Sequence, residues 1–349
     1  MSVSHCIAQG TGWHNIMTKC EEKRGVSGRI DPSVLERLEN VRVLANQRLE
    51  RLQMAILGGG MLILGLMMAY SAEPAEIGIV VLEAGFVGLI VYAVGHSMIT
   101  PGYVSDFKQE ILKPLIEGID PSITYKPEEM IPRDVFDRSK LFGRYGHYEG
   151  DDRVSGSVDG VAFSMSELYV YDKRASPGHG SVTVDIFRGI FAQFDFNKDF
   201  EHTLLIYPDV AQKRMGHLGR WLQSMNISKE PLVVLDNTVF EEYFVVYGND
   251  PIEARYLLEH TMMEQMVALR ESVGVPIYFS FTGGKLYVAF DYGDTVQFEP
   301  DLRSSLLDDA KLQRHLEKIA RIPGMVEQLG LNRFIWSREA PNAGRQDSI

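Results

Sequence analysis

The sequence predicts an α+β protein: an N-terminal helix, a transmembrane helical hairpin, and then a mainly antiparallel sheet domain with packed helices. Three observations carry that prediction. Two long apolar runs stand side by side, Met54 to Ala72 and Ile77 to Ile99, separated by the short polar stretch SAEPAE. Beyond them the pattern turns to alternating strands punctuated by turn residues. There is no strand–helix alternation long enough for a doubly wound sheet.

The elements follow in order. Residues 1–30 read as a disordered tail: they lack the continuous apolar core of a signal peptide and run into TKCEEKRGVSGR. Both cysteines, Cys6 and Cys20, lie here with His5 and His14. Their spacing matches no zinc module, so neither a metal nor any other cofactor is expected. With no cysteine in the rest of the chain, disulfides and thiolate chemistry are excluded there.

Residues 31–53 form a juxtamembrane helix, capped by Asp31 with Pro32 in its first turn. Leu35, Leu38, Ala45, Leu49 and Leu52 recur at 3–4 spacing, broken by Arg42. That stripe suits a short coiled coil or a helix continuous with the first span. It equally suits an arginine-rich face on the inner leaflet.

Residues 54–102 form the hairpin. A hydrocarbon core of about 30 Å needs roughly 20 helical residues, and both runs suffice. Pro74 breaks the helix between them. Gly78, Gly85, Gly88 and Gly95 project to one side of the second span, and Gly58 and Gly65 are set a heptad apart in the first. Small residues let helices approach closely in lipid. The connector carries Glu73 and Glu76 and no base. Arg37, Arg42, Arg48 and Arg51 precede the hairpin, and Lys108 and Lys113 follow it. Basic flanks stay inside, so both termini are expected in the cytoplasm, with only the short connector outside. Glu83 lies inside the second span, nearly opposite the glycines. An intramembrane carboxylate meets another subunit, a partner helix or a proton path, or else sits protonated near the outer interface.

Residues 103–336 form the cytoplasmic domain, and 337–349 a second disordered tail. SDFKQEILKPLIEGI reads as an amphipathic helix bent at Pro114. DDRVSGSVDGVAFSMSELYVYDKR reads as a hairpin, SVTVDIFRGIFAQFDF and HTLLIYP as further strands, and PLVVLD and FEEYFVVYG as two more. Val210 to Met225 is a helix or loop. Pro251 to Val273 reads as one helix, with Asp250 and Glu253 as a capping box, Leu258, Met262, Met266, Leu269 and Val273 as its buried stripe, and Gly274 and Pro276 as its stop. PIYFSFTGGKLYVAFDY is a hairpin turning at Gly283 and Gly284, and Ser304 to Leu331 is helical with an interruption at Pro323.

The net charge of −12 is carried almost wholly after Tyr103. An acidic domain repels nucleic acid, so nucleic-acid binding is not expected. DFNKDFEHTLLI begins like a calcium loop with Asp195, Asn197 and Asp199, but Phe200 replaces the required glycine and Ile206 the bidentate glutamate. His260 and Glu264 share a helix face and could hold a metal or act as an acid/base pair, although no second histidine sits at a zincin spacing and a solvated face is the favoured reading. Arg255 could clamp an anionic ligand beside Asp250 and Glu253. No nucleophile elbow, phosphate loop or dinucleotide fingerprint is present.

YKPEEMIPRDVFDRSKLF, EGDDRVSGSVDGVAFSMSEL, IFRGIFAQFDFNKDF, FEEYFVVYGNDPIEARYLL and IYFSFTGGKLYVAF together resemble a bacterial family of two-span membrane proteins of unknown function. The resemblance spans roughly 106–331 and implies no activity. The expected role is a membrane-anchored cytoplasmic binding or regulatory module, in contact with inner-membrane lipid and with a protein partner or a second copy of itself. The alternatives are a membrane-bound hydrolase using Asp195–Asp199 or His260–Glu264, and a subunit of an oligomeric channel or transporter.

Overall fold

The computed structural model describes residues 30–69, 74–118, 120–176, 180–196, 200–209, 231–293 and 298–320, with 324, 329 and 331. Both terminal tails, the connector at 70–73, the Asn197–Asp199 part of the calcium-like stretch, and the segment Val210 to Met225 lie outside the described residues. The chain divides into two compact units. One holds the described residues up to 115 together with 299–316, and the other holds 116–298 with the residues beyond 316.

In the first unit a single helix, α1 (Pro32–Ala69), carries the juxtamembrane stretch and the first apolar run without a break. Its 38 residues span about 57 Å. Asp31 starts it: Oδ1 accepts from the Ser33 amide at 2.9 Å and the carbonyl accepts from Leu35. The second run is α2 (Pro74–Ile99). Both helices are long and apolar enough to cross a membrane, and none of the most apolar window of the first is buried. The core helix of a soluble protein would hide such residues, whereas Met61, Leu82, Phe86 and Met98 lie open. The lower stripe of α1 is different. Leu35, Leu38, Ala45 and Leu49 are all buried within the chain, so the 3–4 spacing marks an internal seam.

Helix α3 (Pro101–Phe107) continues through a π-turn at Lys108–Leu112 into α4 (Lys113–Glu117). The π-turn explains the expected bend. Pro114 has no N–H to give the Glu110 carbonyl, and its ring crowds that oxygen. The ladder slips by one residue, so that Lys113 N bonds Lys108 O.

The second unit is built on an antiparallel sheet of nine strands among the described residues: β1 (Thr124–Lys126), β2 (His147–Val158), β3 (Val161–Ser176), β4 (Gly180–Asp195), β5 (Leu204–Pro208), β6 (Leu232–Val233), β7 (Phe244–Gly248), β8 (Ile277–Thr282) and β9 (Lys285–Asp291). Their spatial order is β1-β2-β3-β4-β9-β8-β5-β7-β6. The protein is therefore α+β, as the sequence predicts. Asp159 and Gly160 turn β2 into β3, and Gly283 and Gly284 turn β8 into β9, all with positive φ, which matches the right-handed twist of hairpin strands. Gly189 lies where β4 meets β9: a Cβ there would stand 1.9 Å from the Phe290 carbonyl oxygen.

A bulge in β2 falls between Asp151 and Val154. There Asp152 takes φ 58°, a conformation its short polar side chain tolerates. Its buried carboxylate accepts a hydrogen bond from the Tyr125 hydroxyl. On one sheet face a core gathers Phe136, Phe142, Phe187, Phe191, Tyr207 and Tyr278. Phe136 comes from α5 (Arg133–Arg138), in the proline-rich lead-in.

Three expectations are corrected. FEEY is not strand: Asn237 accepts from Phe240 N and starts the single turn α6 (Thr238–Glu241), and β7 begins only at Phe244. Pro251 to Val273 is two helices, α7 (Pro251–Leu257) and α8 (His260–Val273). Leu258 leaves the helical region at φ −99°, ψ 61°, and packing overrides propensity at a site with no glycine or proline. Helix α9 is Asp309–Ala320 and does not begin at Ser304. Asp301, Ser305 and Glu39 take the preceding amides into turns, and Asp308 accepts from Lys311 N as the cap.

Candidate functional site

The first unit contains a partly open cavity of about 670 Å³. From α1 it is lined by Asn46, Leu49, Glu50 and Gln53, and from α2 by Tyr92 and His96. Thr100 and Val104 continue that wall, and Glu299 to Arg303 form the opposite one. The sequence positions the parts simply. Residues 46, 50 and 53 recur at helical spacing on one face of α1, as do 92 and 96 on α2. The Glu50 carboxylate accepts from Asn46 Nδ2 at 2.8 Å. The rings of Tyr92 and His96 are 6.1 Å apart, and Thr100 Oγ1 donates to the His96 carbonyl at 2.9 Å.

The 299–303 wall is held by a polar node beside the cavity. Arg42 stands in the buried stripe of α1 and is only 9% exposed. Its Nε and Nη2 donate to Glu39 at 2.9 and 2.8 Å, and its Nη1 donates to the Leu302 carbonyl at 2.5 Å. Glu39 also accepts from Ser305 Oγ at 2.8 Å and Leu306 N at 2.9 Å. The Arg42 guanidinium, helped by those two donors, holds the Glu39 carboxyl down at about 2. Asp301 is likewise held below the usual carboxylate range, by the Arg303 amide and the Ser304 hydroxyl. Tyr103, 1% exposed, lies near Arg42, Glu39 and Asp301, and its hydroxyl has no hydrogen-bond partner among the described residues. Burial pushes that phenol up. Sequence reading met Arg42 as a flaw in an apolar stripe and as one of the basic residues flanking the hairpin. An arginine there demands an acid, and Glu39 three residues earlier was the legible half of the signal. Its partners at 302–306 were not legible.

The residues singled out from sequence fall elsewhere. Asp250 caps α7, accepting from the Ile252 and Glu253 amides at 2.8 and 3.1 Å, and those bonds lower its pKa. The capping box does not form. Glu253 turns away and accepts from the amides of Glu201 and His202, both at 2.8 Å, and it lies 3.1 Å from His202 Nδ1. It thus ties the entry of β5 to α7, and His202, which sequence reading missed, joins this group. Arg255 Nη1 and Nη2 donate to the carbonyls of Pro251 and Val234. His260 Nε2 and Glu264 Oε1 are 3.2 Å apart with side chains 75% and 63% exposed, a solvated pair. Asp195 pairs with Lys285. Glu83 is exposed on α2. Among the described residues no group of three or more histidine, cysteine or acidic side chains could hold a metal.

The glycines do not form one seam. A Cβ at Gly88 would meet Ile56 at 2.7 Å, and one at Gly95 would meet Leu52 at 2.2 Å. At Gly58, Gly65, Gly78 and Gly85 it would meet nothing within 4 Å. Of these six glycines, Gly88 and Gly95 are the ones that face the other helix at close range.

No curated protein matches the chain. Among solved structures, the crystal structure of the mycobacterial trehalose monomycolate transport factor A, TtfA, aligns at 11% identity over 57% of this chain and 88% of that one, with a TM-score of 0.31. A likeness at that score transfers neither architecture nor activity. Residues 185–331 match the family described as "Protein of unknown function (DUF3137)", a shorter stretch than the resemblance drawn from the motifs. The matched stretch begins within β4 and ends at 331, and over it the chain is similar to a domain of unknown function.

Proposed function

We propose that this chain is a membrane-anchored binding or regulatory module. In this reading α1 and α2 cross the inner membrane of a bacterium as a hairpin, both termini lie in the cytoplasm, and the acidic sheet domain serves a protein partner or small ligand there. The observation that carries it is the pair of exposed apolar helices beside a polar cavity. The basic flanks, Arg48 and Arg51 before the hairpin and Lys108 and Lys113 after it, support the orientation.

The native cysteines make the test direct. Cys6 and Cys20 are the chain's two thiols. The full-length protein should resist alkaline carbonate extraction, and an impermeant maleimide should label it only after permeabilisation. With both replaced by serine, Ser71→Cys should label in intact cells. Extraction by carbonate, or labelling of the native cysteines from outside, overturns the reading. In-cell crosslinking with mass spectrometry then tests the binding role: a stoichiometric partner linked to the sheet domain is expected. Self-links alone favour an oligomeric membrane complex.

A further inference from the structure

We propose that the cavity beside α1 and α2 binds the head group of a membrane phospholipid bearing a primary ammonium, of the phosphoethanolamine type. The inference rests on the membrane-anchored reading and names a ligand for it.

Position comes first. The lining residues Asn46, Glu50 and Gln53 end where the exposed apolar run of α1 begins at Met54, and Tyr92 and His96 lie in the last two turns of α2. The cavity therefore sits at head-group depth, where tyrosine is at home. Its volume of about 670 Å³ falls within the usual range for small-ligand sites, roughly 300–1,000 Å³.

Charge selects the ligand. The lining carries the carboxylates of Glu50, Glu299 and Asp301 against the guanidinium of Arg303. Acid predominates, which disfavours a head group whose sole charge is its phosphate. A zwitterion fits both signs, with ammonium to the carboxylates and phosphodiester to Arg303. Glu50 has one oxygen engaged by Asn46, and a carboxylate can accept about four hydrogen bonds. Asp301 spends acceptor sites on its own turn, so Glu50 and Glu299 are the main ammonium ligands. A primary ammonium brings three N–H donors to these acceptors. A quaternary choline brings none and needs an aromatic cage, and the lining offers the single phenol ring of Tyr92 and one imidazole.

The test uses the full-length chain in mild detergent, with native mass spectrometry of retained lipid. The probes are phosphatidylethanolamine, phosphatidylcholine and phosphatidylglycerol of one acyl composition, and free phosphoethanolamine as competitor. Retention of the ethanolamine lipid should exceed that of the other two at least tenfold. The double variant Glu50→Gln/Glu299→Gln should lose that preference at least fivefold with thermal stability unchanged. Gln53→Trp, which puts a bulky ring on the lining, should lower retention as an independent check. Equal retention of the three lipids, preference for the glycerol head group, an undiminished preference in both variants, or binding of free phosphoethanolamine alone overturns the proposal. A carbonate-resistant chain with no such preference defeats this inference and leaves the anchor standing. An extractable chain defeats the anchor itself.

Discussion

Replacing Glu39 by glutamine should release the 299–306 segment from α1. The side chain keeps its volume and loses its charge. In the native protein this carboxylate accepts from two nitrogens of Arg42, from Ser305 Oγ and from Leu306 N. Its pKa falls from 4.5 to about 2, mainly through Arg42. Each tenfold change in proton affinity is worth about 1.4 kcal/mol, so the ionised form is favoured by roughly 3 kcal/mol. An independent route agrees: removing one partner of a buried pair costs about 3–5 kcal/mol, because the other charge is left uncompensated. Arg42, 9% exposed, would be that charge. The readout is amide exchange over 299–308 in the detergent-solubilised chain. Local opening should increase on the order of 100-fold, while peptides of β8 and β9 stay protected. The native chain should show the same loss with acid. A carboxyl with a depressed folded pKa stabilises fully above its ordinary value of 4.5, and that contribution disappears as pH falls toward about 2. Exchange must be corrected for its intrinsic pH dependence. A change under about fivefold at neutral pH would refute the reasoning, since it corresponds to under about 1 kcal/mol. Equal loss across the sheet would refute the claim that the node acts locally.

Three further outcomes follow from the packing. Gly189→Ala should cost about 3 kcal/mol or more in a urea titration, because its Cβ would strike the Phe290 backbone oxygen and not a side chain that can rotate away. Gly95→Ile should lower the thermal midpoint of the detergent-solubilised chain by several degrees by wedging against Leu52, whereas Gly65→Ile, facing open space, should leave it unmoved. His260→Ala and Glu264→Gln should each change stability by under about 0.5 kcal/mol, as expected for an exposed pair, and chemical denaturation would show it.

The parts of this molecule that were legible share a physical cause. Hairpins announce themselves locally: Asp159-Gly160 and Gly283-Gly284 are the residues their turns demand, and each sits between two strands that pair across it. The apolar helices announce themselves by length. Other features hinged on distant residues. Glu253 sits where a capping box is expected, but the unsatisfied amides of Glu201 and His202 recruit it, and nothing near Glu253 in sequence says so. The break at Leu258 has no glycine or proline to signal it. The cavity needs a wall from 299–303 that meets α1 only after some 250 intervening residues, as with Arg42 and Leu302 (|i−j| = 260).

That long-range return decides where the chain can be cut. A boundary set where the apolar run ends gives 103–336, but the compact units divide at 115 and 298. Tyr103, Phe107, Ile111 and Leu112 are each no more than 1% exposed, and they belong to the unit that α1 completes. A fragment beginning at 103 separates these four side chains from the α1 and α2 part of their unit and leaves the 299–306 segment without Glu39 and Arg42. Fully exposing such residues costs roughly 1.5–3 kcal/mol each, and their apolar surface invites association. The fragment 116–298 keeps every strand of the nine. It should elute as a soluble species with one cooperative urea transition and the strand signature by circular dichroism, while 103–336 should elute as aggregate. If 103–336 is the well-behaved fragment and 116–298 collapses, then the helical residues after the hairpin belong energetically to the sheet, and the node at Glu39 is a surface contact.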